Sequence, residues 1–117
     1  MRLDIAGRVR IKPDLSLWTR GACCFVGDVK YKTTRVGENA DLYQILSYAH
    51  AAGLPQGLLI YASAATNADR HVVRNDGTAL HVRYLDLEAT DAALRAAVAE
   101  LAEVVTGLAV NKENAAI

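Results

Sequence analysis

The chain carries no excess of charge: 13 lysines and arginines balance 13 aspartates and glutamates over 117 residues. Bulk attraction therefore cannot draw it to a polyanion, and any contact with nucleic acid must come from a local basic cluster. Cysteine is scarce, and the two present, Cys23 and Cys24, are neighbours. On a strand they would point to opposite faces, an arrangement that rarely makes a disulfide. They read as reduced thiols of a cytoplasmic protein. Without CxxC spacing or a nearby histidine they make no zinc site, and no basic neighbour in the sequence activates them as nucleophiles. Long apolar runs are missing as well. The start, Met1-Arg2-Leu3-Asp4, has no signal-peptide core. The most apolar stretch, Ala92 to Val110, is broken by Arg95, Glu100 and Glu103 and is too polar to span a membrane. No GxxxxGK loop is present, which excludes that route to ATP or GTP. His50, His71 and His81 have no ligand spacing on a single element and read as surface or capping residues.

What is present suffices for one domain with a real core: 52% of the residues are hydrophobic. Residues 8–18 alternate, with Val9, Ile11, Pro13, Leu15 and Leu17 on one parity and Arg8, Arg10, Lys12, Asp14 and Ser16 on the other. This predicts a strand with one buried and one polar face, in which Pro13 suits an edge position or a bulge. Thr19-Arg20-Gly21 supplies a hairpin turn, and residues 22–32 a second strand. Asn39 or Asp41 caps a helix over about 41–52, which Gly53-Leu54-Pro55 ends. Gly57 to Tyr61 is a continuous apolar run, the mark of a central strand. A hairpin follows around Asn75-Asp76-Gly77-Thr78. Thr90 or Asp91 then caps a last helix with the stripe Leu94, Ala97, Val98, Leu101, Val105 and Leu108. The fold class is α/β or α+β, one mixed sheet with helices packed on it. The expected domain is 1–109, with 110–117 a flexible tail.

Two acids and a lysine stand out. If the first turn centres near Gly21, Asp14 faces Asp28 across the hairpin, and Lys30 projects from the same face as Asp28. Opposed side chains have Cβ atoms roughly 4.5–5.5 Å apart, where like charges repel. Such a pair needs a proton, a basic neighbour or a cation. Magnesium suits it, since it takes one or two carboxylates plus waters and phosphates, and the Val29 carbonyl could add a third oxygen. Lys30 could then steady an attacking water or the charge growing on a phosphorane. An Asp-x-Lys triplet alone is more often a solvated strand face, and a one-residue slip of register would dissolve the pairing. On the helix, Gln44 and Tyr48 share a face with Asp41. Arg10, Lys12, Lys32 and Arg35, near the acids, read either as phosphate contacts or as a solvated face. Trp18 reads as a packing residue, with base stacking the alternative.

Pro13-Asp14, Gly27-Asp28-Val29-Lys30-Tyr31-Lys32, Asp41-Leu42-Tyr43-Gln44-Ile45-Leu46-Ser47-Tyr48-Ala49 and Gly57-Leu58-Leu59-Ile60-Tyr61 together resemble the PD-(D/E)xK nuclease superfamily. They are most similar to the nuclease domain of McrC, the cleavage subunit of McrBC-type modified-cytosine restriction systems. The resemblance covers residues 9–62 well. It implies a restriction-endonuclease-like fold and magnesium-dependent DNA cleavage, with Mn2+ a substitute. Asp14 and Asp28 would be metal ligands, Lys30 would sit at the attacking water, and Gln44 and Tyr48 would be the helix motif shared with RecB-like nucleases. It also implies phage defence as the setting, an AAA+ GTPase motor as partner and a homodimer for double-strand cutting. Two departures stand beside it. The superfamily's first core helix is missing here or lies outside this sequence, and 117 residues leave no room for a motor-docking region. The alternatives are a RecB-like repair nuclease domain or an inactive remnant that binds DNA or a partner.

Overall fold

The computed structural model describes residues 1–31, 39–65 and 67–111. Seven elements follow in order: β1 (Leu15–Thr19), β2 (Ala22–Lys30), α1 (Asn39–Ala51), β3 (Gln56–Ala62), β4 (Asp69–Val72), β5 (Ala79–Leu85) and α2 (Asp91–Leu108). The strands form one mixed sheet in the order β1-β2-β3-β5-β4. β1 and β2 run antiparallel, β2, β3 and β5 run parallel, and β4 returns antiparallel to β5. Parallel neighbours need a crossover, which α1 supplies between β2 and β3. The expected α+β class with one mixed sheet is what the chain adopts.

The first strand is shorter than the alternation predicts. Only Leu15–Thr19 pairs with β2. Pro13 has no N–H to give a ladder, and the preceding residues close on themselves. Arg2 and Arg10 form an isolated bridge, Leu3 N–H donates to the Val9 carbonyl at 2.9 Å, and the Asp4 carboxylate accepts the Arg8 and Val9 amides at 3.1 and 2.8 Å. On this edge strand Leu15 and Leu17 of the predicted apolar face are exposed, and so is Trp18 of the other parity. Trp18 is about half exposed, 55%, and its indole N–H donates to Ser16 Oγ at 3.0 Å.

The β1–β2 turn is a two-residue loop. Arg20 and Gly21 both take positive φ, 51° and 78°, the geometry that matches the twist of the flanking strands. Leu15, Ser16 and Leu17 pair with Gly27, Val26 and Phe25, and a bulge between Leu17 and Trp18 then shifts the pairing toward the turn. The register beyond the bulge carries Asp14 toward Asp28, as expected.

β3 is the central strand, buried from Gly57 to Tyr61. Its Val26–Leu59–Val82 side packs under α1 with Ile45, Tyr48 and Ala49. The opposite side, Phe25, Leu58 and Ile60, packs under the C-terminal half of α2 through Leu101, Val104, Val105 and Leu108. No residue of α2 is fully buried, and Val98 of the predicted stripe is half exposed. Thr90 caps α2, its Oγ1 accepting the Ala93 amide at 3.3 Å. Val110 is not part of a tail: its N–H donates to the Cys24 carbonyl at 2.9 Å and its side chain packs on the core. Residues 112–117 of the expected tail lie outside the described residues. Cys23 and Cys24 are buried and form no disulfide.

α1 ends on a left-handed glycine. Gly53, at φ 65°, donates to the His50 carbonyl at 3.1 Å, and Leu54 donates to the Ala49 carbonyl at 2.9 Å. This pair of bonds is the Schellman arrangement. Gly57 then lets α1 lie close on the sheet: a Cβ there would meet Ile45 Cγ1 at 2.8 Å.

Candidate functional site

Asp14 and Asp28 converge by exchanging backbone contacts. The Asp14 amide donates to Asp28 Oδ1 at 3.1 Å, and the Val29 amide donates to Asp14 Oδ2 at 3.0 Å. Each carboxylate is thus held by an N–H beside the other. In an extended residue the N–H and C=O turn to the same edge, so the Val29 carbonyl also faces the edge of β2 where Asp14 sits. Asp28 is buried and Asp14 is exposed, so one acid anchors the site and the other stands at its mouth.

The repulsion expected between opposed acids is offset by a basic neighbour. Lys30 Nζ lies 2.7 Å from Asp28 Oδ2, with its side chain 19% exposed. The same ammonium donates to Gln44 Oε1. Because that oxygen faces a cation, the amide nitrogen must face the other way, and Gln44 Nε2 donates to the Tyr48 hydroxyl at 2.9 Å. An unbroken polar chain therefore runs Asp14–Asp28–Lys30–Gln44–Tyr48, across β2 and onto α1. Burial, then the negative charge of Asp28, push the Tyr48 phenol above its ordinary range. The phenol keeps its proton, and since its oxygen already accepts from Gln44, it can donate that proton to a further acceptor.

A second buried pair fixes where α1 sits. The Tyr61 hydroxyl donates to Asp41 Oδ2 at 2.8 Å, with both residues buried. Tyr61 is the β3 neighbour of Lys30, so this tether joins the helix to the sheet one strand away from the ion pair. Asp41 is thus an inward-facing helix residue and not the cap that the sequence suggested. The signal was available: Asp41, Gln44 and Tyr48 share a face, and a tyrosine inside an apolar strand needs a partner for its hydroxyl.

The basic residues expected to contact DNA are placed unevenly. Arg10 and Lys12 are exposed, and among the described residues neither pairs with Asp14 or Asp28. Lys32 and Arg35 lie outside the described residues. His50 does sit at the end of α1, where it pairs with Asp76 at 2.7 Å.

Among the described residues no group of three or more histidines, cysteines, aspartates or glutamates could hold a metal. Zinc-type sites need more side-chain donors than this. Magnesium does not: one or two carboxylates complete its shell with water, carbonyl and phosphate oxygens. The donor set here, two carboxylates and a carbonyl edge, is hard oxygen throughout and fits that ion.

The α+β fold, with its five-stranded mixed sheet and two helices, is compatible with the restriction-endonuclease-like architecture. A sequence model of the McrBC 5-methylcytosine restriction system component family matches residues 2–62, just over half of the chain, and the protein belongs to that family. The matched span holds all five residues of the polar chain. No curated protein matches the sequence. Among the described residues no helix is long and apolar enough to cross a membrane.

Proposed function

We propose that this chain is a magnesium-dependent DNA endonuclease module of the PD-(D/E)xK type, the McrC-like cleavage part of a McrBC restriction system. The observation that carries the reading is the meeting of Asp14, Asp28 and Lys30 at one point, under Gln44 and Tyr48. Hydrolysis of a phosphodiester adds water at phosphorus and breaks the P–O3′ bond, giving a 3′-hydroxyl and a 5′-phosphate. Asp14, Asp28 and the Val29 carbonyl would hold the ion, which when bound supplies electrophilic activation of the phosphate.

The chain's own residues do the rest. Lys30 presents a fixed cation where charge grows on the non-bridging oxygens, and it holds the attacking water by hydrogen bond. Gln44 keeps that ammonium in one rotamer, because its amide is held from the far side by Tyr48. Tyr48 retains its proton and offers it to a phosphate oxygen. Arg10, Lys12, Lys32 and Arg35 would contact the DNA backbone. As a cleavage module the chain would act with an AAA+ GTPase motor, and two copies would cut both strands.

The test is cleavage of supercoiled plasmid with magnesium by the wild type, Asp28→Ala and Lys30→Ala. The expected result is nicking or linearisation by the wild type and loss in both variants. Equal cleavage by all three would overturn the mechanism.

A further inference from the structure

The face of the sheet away from the acid pair carries an unmatched cluster of the opposite sign. His81 and Arg83 alternate with Leu80 and Val82 along β5, which puts them on the α2 side. Their β3 neighbours, Leu58 and Ile60, are the residues α2 covers. Arg70 lies directly opposite His81 on β4. Opposed positions are roughly 5 Å apart at Cβ, and positions two along a strand roughly 7 Å. Three cationic or ionisable side chains thus share one small area, and like charges so placed are destabilising.

Neither Arg70 nor Arg83 has a carboxylate within ion-pair distance among the described residues. Asp69 is engaged by His71 at 3.5 Å and by the Arg70 amide at 2.8 Å. Asp86 and Glu100 line a cleft of about 310 Å³ beside α2 together with Arg83, which is partly buried there. His81 Nε2 bonds Gln56 Oε1 at 2.6 Å, so the neutral ring is the donor there. Burial, then Arg70 and Arg83, push His81 below the usual imidazole range, and no carboxylate acts on it. The patch therefore has the form of an anion site: two arginine forks able to grip phosphate around a histidine that would gain a proton as the anion arrives.

We infer that Arg70, His81 and Arg83 bind the phosphodiester backbone of a DNA segment on the sheet face opposite the acid pair. The choice of DNA as the source of the phosphate rests on the proposed nuclease role. The geometry of the site does not.

The test reads His81 itself, by carbon-13 histidine NMR on the full chain with EDTA present so that nothing is cut. A short blunt duplex should move the His81 titration upward by about one pH unit or more, the effect of an opposite charge a few ångström away. The double variant Arg70→Gln with Arg83→Gln keeps the side-chain stems and so the packing. It should abolish the rise and lower the salt dependence of duplex binding by about two phosphate contacts. Arg74→Gln, on the same hairpin, should leave the rise intact. The inference is overturned if saturating duplex leaves His81 unmoved, or if Arg74→Gln removes the rise as fully as the double variant does. Movement by inorganic phosphate but not by duplex also overturns it, since the site would then take small anions only. A chain that cuts plasmid yet shows no His81 response loses this inference alone. One that binds duplex through these residues without cutting loses the nuclease reading alone.

Discussion

Lys30 has two tasks that pull against each other. It offsets the repulsion between Asp14 and Asp28, and it occupies Asp28 Oδ2, an oxygen that a cation would also use. Lys30→Ala should therefore lose cleavage by about a hundredfold or more, the scale for removing one preorganised charge-stabilising donor. The same variant should bind magnesium more tightly. Thermal melts with and without magnesium check this: the variant's melting temperature should rise more than the wild type's. Gln44 acts through Lys30, so Gln44→Ala should lower kcat with little change in KM for DNA, read from initial rates. At this scale the sequence was legible. Asp28 and Lys30 share strand parity, and a turn at Gly21 brings Asp14 opposite. What it did not show was the route of contact, in which each acid is held by a backbone amide next to the other. Side-chain-to-amide bonds depend on where a ladder stops, and no residue pattern records that.

The helix α1 is held to the sheet by a close approach and a tether. The close approach is Gly57 under Ile45. Gly57→Ala would put a methyl 2.8 Å from Ile45 Cγ1, an overpacking expected to cost about 1–3 kcal/mol and to lift Gln44 off Lys30. Urea midpoints and cleavage rates should fall together. The tether is the buried Tyr61–Asp41 bond. Tyr61→Phe leaves a buried carboxylate oxygen without that donor and should cost about 1–3 kcal/mol in urea unfolding. Element legibility varied with burial. The run Gly57–Tyr61 and the caps at Gly53 and Thr90 are strong local signals, and their elements formed where expected. The alternation over residues 8–18 is a weak one. Edge residues gain little from either face, so Pro13 and the Asp4 carboxylate diverted the chain into its own loop before Leu15.

The two sheet faces of the molecule carry different ionisable clusters, Asp14, Asp28 and Lys30 under α1 and Arg70, His81 and Arg83 beside α2, in a chain of zero formal net charge. Its stability should follow pH through these groups. His81 is held below its ordinary 6.5 in the fold, so the unfolded chain takes up a proton there first. Stability is then full above about pH 6.5 and is lost as pH falls from there through the folded value. His81→Gln should flatten that loss, as read from urea midpoints at neutral and mildly acid pH. Asp76, lowered chiefly by the Thr78 amide, adds a similar acid-side loss at lower pH, below its ordinary 3.8. On the other face, Asp14 and Asp28 are proposed to take a divalent cation jointly, beside Lys30. The direct measurement is a magnesium titration followed at the Asp14 and Val29 amides by nitrogen-15 NMR, in the wild type and in Asp28→Asn. Saturable shifts of both amides are expected in the wild type and none in the variant. Amides that stay still as magnesium is added, or that move alike in both proteins, would contradict this joint binding.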